Sequence, residues 1–258
     1  MAQYEVTARN FSESSENRMH SDDIAQKFGF KGALVPGVAV YGHLTHPLVE
    51  RFGENWLANS VCDLRLLKPA YDGDRLILSL SETDDQQTVQ CHNTDGELLA
   101  TLISSIPDTL PAPEPKSVFE SPTKSNGRVE IEWDQIEVNQ PFNEWQLTID
   151  QETNDTYASQ VADTLPLYAQ GLVHPHFLLS SANKALMEEY VMPTWIHVGS
   201  ETRHRVPVRV NDRLTVRSVP LERWQKKGHE FIRLYVSYWR EDELTTDIMH
   251  TAIYKIAS

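Results

Sequence analysis

Two stretches decide the fold: 34-LVPGVAVYGHLTHPLVERFG-53 and 172-LVHPHFLLSSANKALMEEYV-191. In the first, Val38, Tyr41, Leu44, Leu48 and Phe52 recur at helical spacing until Gly53 stops the run. In the second, Leu178, Leu179, Ala182, Ala185, Leu186 and Tyr190 share one side. Each reads as a long, mostly buried helix, with Gly42 and Pro47 expected to bend the first. The two stretches lie 138 residues apart. Carrying that offset on, 34–76 against 172–214 gives Leu34/Leu172, Val35/Val173, Leu48/Leu186, Glu50/Glu188, Arg65/Arg203, Pro69/Pro207, Asp74/Asp212, Arg75/Arg213 and Leu76/Leu214. Nine identities in 43 positions exceed the two or three that composition alone gives, the mark of an internal repeat.

Each helix is followed by strand-like runs split by turns. In the first half these are CDLRLLKPAYDGDRLILSLSE, QTVQCHN and, after Asp95-Gly96, LLATLISSI. In the second they are TRHRVPVRVNDRLTVRSV, EFIRLYVSYWRE and LTTDIMHTAIYKI. Between Ile106 and Arg128, prolines at 107, 111, 113, 115 and 122 forbid a continuous helix or central strand, so this stretch reads as a linker. The expected architecture is α+β: repeats at 1–106 and 129–258 joined by a linker at 107–128. Each repeat is a curved antiparallel sheet wrapped around a long central helix, and the two sheets join edge to edge, a double hotdog.

Composition narrows the function. The chain has 258 residues, 40% hydrophobic and 23% charged, with no apolar run of the ~18 residues that a spanning helix needs. Lys+Arg 23 against Asp+Glu 37 gives a net charge of −14, which argues against nucleic acid or an anionic membrane as partner. The N-terminus shows neither the cationic flank nor the apolar run of a signal peptide. With only Cys62 and Cys91 present, the expectation is a soluble cytoplasmic protein with two free thiols. G-x-S-x-G, the P-loop and G-x-G-x-x-G are all missing from the sequence, which removes the serine-hydrolase elbow and the common nucleotide cradles.

Upstream of the first helix runs FSESSENRMHSDDIAQKFGFKGALVPG. Ser21 followed by Asp22 and Asp23 reads as a helix start and Gly29 as its stop, which leaves His20 in a loop just before a short helix, three residues after Asn17. The run from Ser14 to Gly37 resembles the hydratase motif of the MaoC-like (R)-specific enoyl-CoA hydratases and acyl dehydratases, through Asn17, His20, Ala25, Gly29, Phe30, Leu34 and Gly37. The second half resembles the degenerate repeat of two-domain members, through Tyr157, Asp163, Pro166, Tyr168, His174 and Pro175.

That resemblance implies a hydro-lyase acting on an acyl thioester carried by coenzyme A or a carrier protein. It adds water to a 2-enoyl chain or removes it from a 3-hydroxyacyl chain. His20 is the implied acid/base and Asn17 its orienting partner. Ser15 and the backbone at Val35, Pro36 and Gly37 are the implied oxyanion and substrate-binding residues, with Gly37 N–H holding the thioester oxygen. No cofactor is implied, because the thioester itself acidifies the α-hydrogen. Ser15 stands where the family has its Asp, and Tyr168 where the second repeat would have its His. An acyl-CoA thioesterase and a non-catalytic acyl-binding subunit therefore stay open beside the hydro-lyase. The chain is expected to work as a monomeric double hotdog or a homodimer.

Three further features carry weaker signals. Arg203 and Arg205, in the densest basic run of the chain, are candidates for coenzyme A phosphates, against the alternative of a solvated strand face. His43 and His46 with Glu50 have helical spacing for a metal but fall near the buried stripe, and no metal site is expected. His174 and His176 read as polar caps at a helix start, and Trp195, Trp224 and Trp239 as packing residues.

Overall fold

The computed structural model describes residues 3–120 and 127–257. The first half holds β1 (Gln3–Thr7), α1 (Asp22–Lys27), α2 (Gly37–Phe52), α3 (Glu54–Asn59), β2 (Val61–Leu66), β3 (Arg75–Glu82), β4 (Gln87–His92) and β5 (Leu98–Ser105). The second holds β6 (Val129–Glu130), β7 (Trp145–Thr148), α4 (Gln151–Gln160), α5 (Pro166–Ala169), α6 (Pro175–Glu189), β8 (Tyr190–Val191), β9 (Ile196–His204), β10 (Arg213–Lys226), β11 (His229–Arg240) and β12 (Glu243–Lys255). Ten strands form one sheet in the order β1-β3-β4-β5-β2-β9-β12-β11-β10-β7, and β6 pairs with β8 in a small parallel ladder. The helices α2 and α6 lie against this sheet and each other around a shared core.

The repeat read from the sequence is a symmetry of the structure. The halves meet where β2 pairs with β9, and in that ladder Asp63 faces Glu201, its own counterpart at the 138-residue offset. The isolated bridge Leu34–Tyr71 recurs as Leu172–Arg209. The hydrogen bond from Val35 N to Ala70 O (2.9 Å) recurs from Val173 N to Val208 O (2.9 Å). Both helices therefore enter the sheet through the same local construction, and the double hotdog follows from duplicated contacts as well as duplicated elements.

Eleven of the 16 residues of α2 are buried, which places His43 and His46 in the core. Gly42 is there for proximity: a Cβ added to it would stand 2.9 Å from Val161 Cγ1 and 3.1 Å from His176 Cβ, where α6 begins. Helix propensity alone favours Gly42→Ala by roughly 1 kcal/mol. Overpacking against Val161 outweighs it, so thermal or urea unfolding of Gly42→Ala should show a net destabilisation of about 1–3 kcal/mol.

The linker is more structured than its prolines suggest. Lys116–Phe119 forms a 3-10 turn. Val118 and Phe119 cover Val219, Tyr235 and Met249, a hydrophobic cluster separate from the main core. Pro122 lies outside the described residues. Both cysteines are free and buried, and burial pushes each thiol up to about 12. No helix among the described residues is long and apolar enough to cross a membrane.

Candidate active site

The segment before α1 folds around Asn17. Its Oδ1 accepts from Met19 N (3.2 Å) and so caps the 3-10 turn Arg18–His20. The same amide reaches the other half: Nδ2 donates to Trp195 O (3.0 Å), and Oδ1 accepts from Trp195 N (3.3 Å). Asn17 is therefore a buried clamp that ties the motif to the loop before β9.

His20 follows from that turn. Its Nδ1 lies 2.7 Å from Leu34 O. A carbonyl only accepts, so Nδ1 carries the proton and Nε2 presents its lone pair. Nε2 stands 3.4 Å from Asn17 Nδ2. Burial lowers the His20 pKa, with the Leu34 carbonyl opposing it, so the ring is neutral and basic at Nε2 at pH 7.

The two residues line a cavity of about 230 Å³, closed by Phe30, Leu34, Val40, Leu66 and Pro69. Val35, Pro36 and Gly37 form its floor. Val35 N is spent on Ala70 O, and proline has no N–H, so Gly37 is the first of the three able to offer a donor. It opens α2 with Pro36 as N-cap and no side-chain cap, so its amide belongs to the helix's first turn, at the positive end of the dipole, on a residue that lines the cavity. A Cβ here would stand 2.4 Å from Leu66 Cδ1 and 3.1 Å from His197 Nδ1, so a larger residue would displace side chains that line the cavity.

Two sets of expected site residues stand away from the cavity. Ser15 does not line the cavity; its hydroxyl donates to Asn17 O (3.3 Å) and serves the turn. Of the acids near Ser15 in sequence, Glu16 binds Arg128, Asp22 accepts from Ala33 N (2.7 Å) and Asp23 pairs with Arg18 (3.7 Å), while Glu13 is exposed, and none of the four lines the cavity. Among the described residues, no carboxylate lines the cavity.

Arg203 and Arg205 are not at the cavity either. They stand roughly 20 Å along β9 from its cavity end, and both grip the buried Asp247: Arg203 Nη1 at 2.8 Å from one oxygen, Arg205 Nε on the other. Arg205 also holds the linker through Pro111 O (2.8 Å). Removing both guanidiniums strands a buried carboxylate. Arg203→Ala plus Arg205→Ala should therefore lose about 3–5 kcal/mol in denaturant unfolding. The KM for a coenzyme A thioester should stay unchanged in the same variant.

The motif residues of the second half do not line this cavity. Asp163 accepts from His174 Nε2 (3.2 Å) and lies 3.0 Å from His46 Nδ1, contributed by α2 of the first half. Burial alone would raise the Asp163 carboxyl, but hydrogen bonds from His174 and His46 outweigh it and hold it well below the usual carboxylate range. His174 caps α6, its Nδ1 accepting from His176 N (3.1 Å). Among the described residues, no group of three or more His, Cys, Asp or Glu is placed to hold a metal.

Asn183 on α6 and His197 on β9 are among the cavity residues that went unread in the sequence. Reading alternation back from the buried His204, Thr202 and Ser200 puts Val198 inward and His197 outward. A bulge reverses this: Thr251 pairs with Gly199 and Ala252 with His197, leaving Val198 as an extra residue.

Against known proteins, no family model matches the chain and no curated protein does. Solved structures do. One from Chloroflexus aurantiacus, described as a MaoC domain protein dehydratase, aligns at TM-score 0.65 and 15% identity over 99% of this chain and 94% of that one. The chain has the double hotdog fold of the MaoC-like dehydratases. The dehydratase domain of PpsC from Mycobacterium tuberculosis, solved in complex with C12:1-CoA, aligns at TM-score 0.53 and 10% identity over 98% and 93% of the two chains. A Lactobacillus plantarum protein described as an oleoyl thioesterase aligns at 0.54 and 9% over 98% and 96%. At these identities the likeness is one of fold, and the MaoC-like fold is shared by proteins with different activities.

Proposed function

We propose that the chain is a hydro-lyase of the hydratase/dehydratase type acting on an acyl thioester. The observation that carries this reading is His20, neutral and with its Nε2 lone pair facing only the long 3.4 Å contact with Asn17 Nδ2, in an apolar cavity also lined by the start of α2. An α,β-unsaturated thioester with its carbonyl oxygen at Gly37 N–H would develop enolate charge where the backbone offers a donor and a helix dipole. The presence of dehydratases among the structures sharing this fold, one of them holding an acyl-CoA, supports the same substrate class.

One base suffices for the proton inventory. As water oxygen bonds to Cβ, His20 Nε2 takes a water proton and the π electrons move to the thioester oxygen. The imidazolium then returns that proton to Cα as the enolate collapses to the carbonyl. Dehydration is the reverse. A single water has been added, the ring is restored, and no carboxylate is required at Ser15.

A thioesterase working through a carboxylate and water lacks its carboxylate here, among the described residues. The deciding experiment follows enoyl-thioester absorbance and free coenzyme A together, on a panel of trans-2-enoyl-CoA substrates. Loss of the enoyl band without thiol release supports the hydro-lyase. Thiol release would instead show hydrolysis, and saturable binding with neither signal would show a binding subunit.

A further inference from the structure

His197 reaches the cavity from the second half and comes up against the start of α2, where a Cβ on Gly37 would stand 3.1 Å from His197 Nδ1. The residue is 6% exposed, and Nδ1 has no hydrogen-bond partner. Its other nitrogen is fixed. Nε2 lies 2.9 Å from Ser200 Oγ, which lies 3.0 Å from His250 Nδ1. His250 sits directly opposite Ser200 in the β9–β12 ladder, and its ring lies 4.4 Å from that of His197. The bulge at Val198 makes this possible, bringing His197 and Ser200, three residues apart, onto one face of the strand.

The chain His250–Ser200–His197 has two polarities. In one, His250 Nδ1–H donates to Ser200 and Ser200 donates to His197 Nε2, so His197 carries its proton on Nδ1, at the cavity. In the other, the protons sit on His197 Nε2 and His250 Nε2, leaving an N–H at His250 Nε2, a buried atom with no partner. Either polarity leaves one ring N–H without a protein acceptor, at His197 Nδ1 or at His250 Nε2, and only the first puts it on a residue that lines the cavity, where a bound carbonyl oxygen can accept it.

We propose, resting on the acyl-thioester reading above, that His197 Nδ1–H is a second donor to the thioester oxygen beside Gly37 N–H, with Ser200 and His250 as positioning residues that fix its tautomer. Burial lowers His197 to about 4, so the donor is a neutral imidazole at physiological pH. No proton leaves it: the two N–H groups hold the enolate charge while His20 alone carries the proton. The assignment gives the oxyanion site one donor from each half, so neither repeat would be competent alone.

The test uses the full chain with His197→Leu, which removes the donor, and His197→Asn, which returns an N–H near the Nδ1 position. Carbonyl-labelled butyryl-CoA, which cannot be hydrated, serves as the probe for difference Raman spectroscopy. Trans-2-enoyl-CoA serves for turnover. In the wild type the bound carbonyl band should move to lower frequency. His197→Leu should lose much of that movement and roughly 10²–10³-fold in kcat, with KM moving far less. His197→Asn should recover a good part of both, and Ser200→Ala should lower kcat by a smaller factor. Wild-type turnover and a full wild-type band movement in a folded His197→Leu protein would overturn the assignment, as would an absent band movement in the wild type. A His197-dependent band movement in a protein that hydrates no enoyl-CoA would retain the donor and remove the hydro-lyase. Turnover that needs His20 but not His197 would do the reverse.

Discussion

Replacing His20 with alanine should lower kcat/KM for the preferred enoyl thioester by roughly 10²–10⁴-fold, the usual contribution of a positioned general base. Among the described residues no other free base stands at that place: His197, the second histidine of the cavity, has its Nε2 on Ser200 Oγ (2.9 Å). Asn17 has no basic nitrogen, Lys68 at the rim is half-exposed and paired with Glu97 (2.7 Å), and the acids near Ser15 do not line the cavity. The stability cost should be modest, about 1–3 kcal/mol, because the bonds to Leu34 O and to Asn17 Nδ2 are lost. Activity and stability thus separate in a single variant. Steady-state kinetics with a melting curve on the same sample check it, and retained turnover would remove His20 from the mechanism. The wild-type rate should also fall on the acid side, because protonating His20 Nε2 removes the base. That limb should lie below the ordinary histidine value, since burial lowers the His20 pKa.

Much of this site was legible because its parts are close in sequence. Asn17, His20 and Gly37 fall within one loop–helix–loop unit, and the reasons for each are local: a cap, a carbonyl partner and a helix start. The repeat was legible for a similar reason, since the same entry into the sheet is built twice. What stayed hidden depends on partners far along the chain. The positive charge of Arg203 and Arg205 is plain in the sequence, but their neutralisation by Asp247, 44 and 42 residues away, is set by the β9–β12 register. Asp163 is readable as a motif residue, but His46 comes to it from the other half. His197 was hidden by one inserted residue, because a bulge inverts the alternation from which inward and outward faces are read.

Acid should unfold this protein cooperatively between about pH 6 and pH 4, and histidines rather than carboxylates should cause it. Burial lowers His43, His197 and His204 from 6.5 to about 4, His176 to about 3, and His250 well below its ordinary value. Above pH 6.5 these rings are neutral in both the folded and the unfolded chain, so they leave stability flat. As pH falls below 6.5 the unfolded chain takes up protons that the folded chain refuses, and stability falls with pH until the folded rings titrate near 4. A shift of that size is worth on the order of 3 kcal/mol for each ring. Three such rings approach 10 kcal/mol, comparable to the whole stability of a typical domain. Asp163 acts in a different window: its folded carboxyl is depressed, so its contribution is complete above 3.8 and is lost only below it, after the histidines have acted. The discriminating variant is His43→Leu, which removes one proton-refusing ring from the buried face of α2. Its acid midpoint, followed by tryptophan fluorescence, should move to lower pH, whereas a carboxylate-driven transition would leave it in place. A wild-type fold that persists unchanged to pH 4 would mean that the buried rings accept protons without leaving the core.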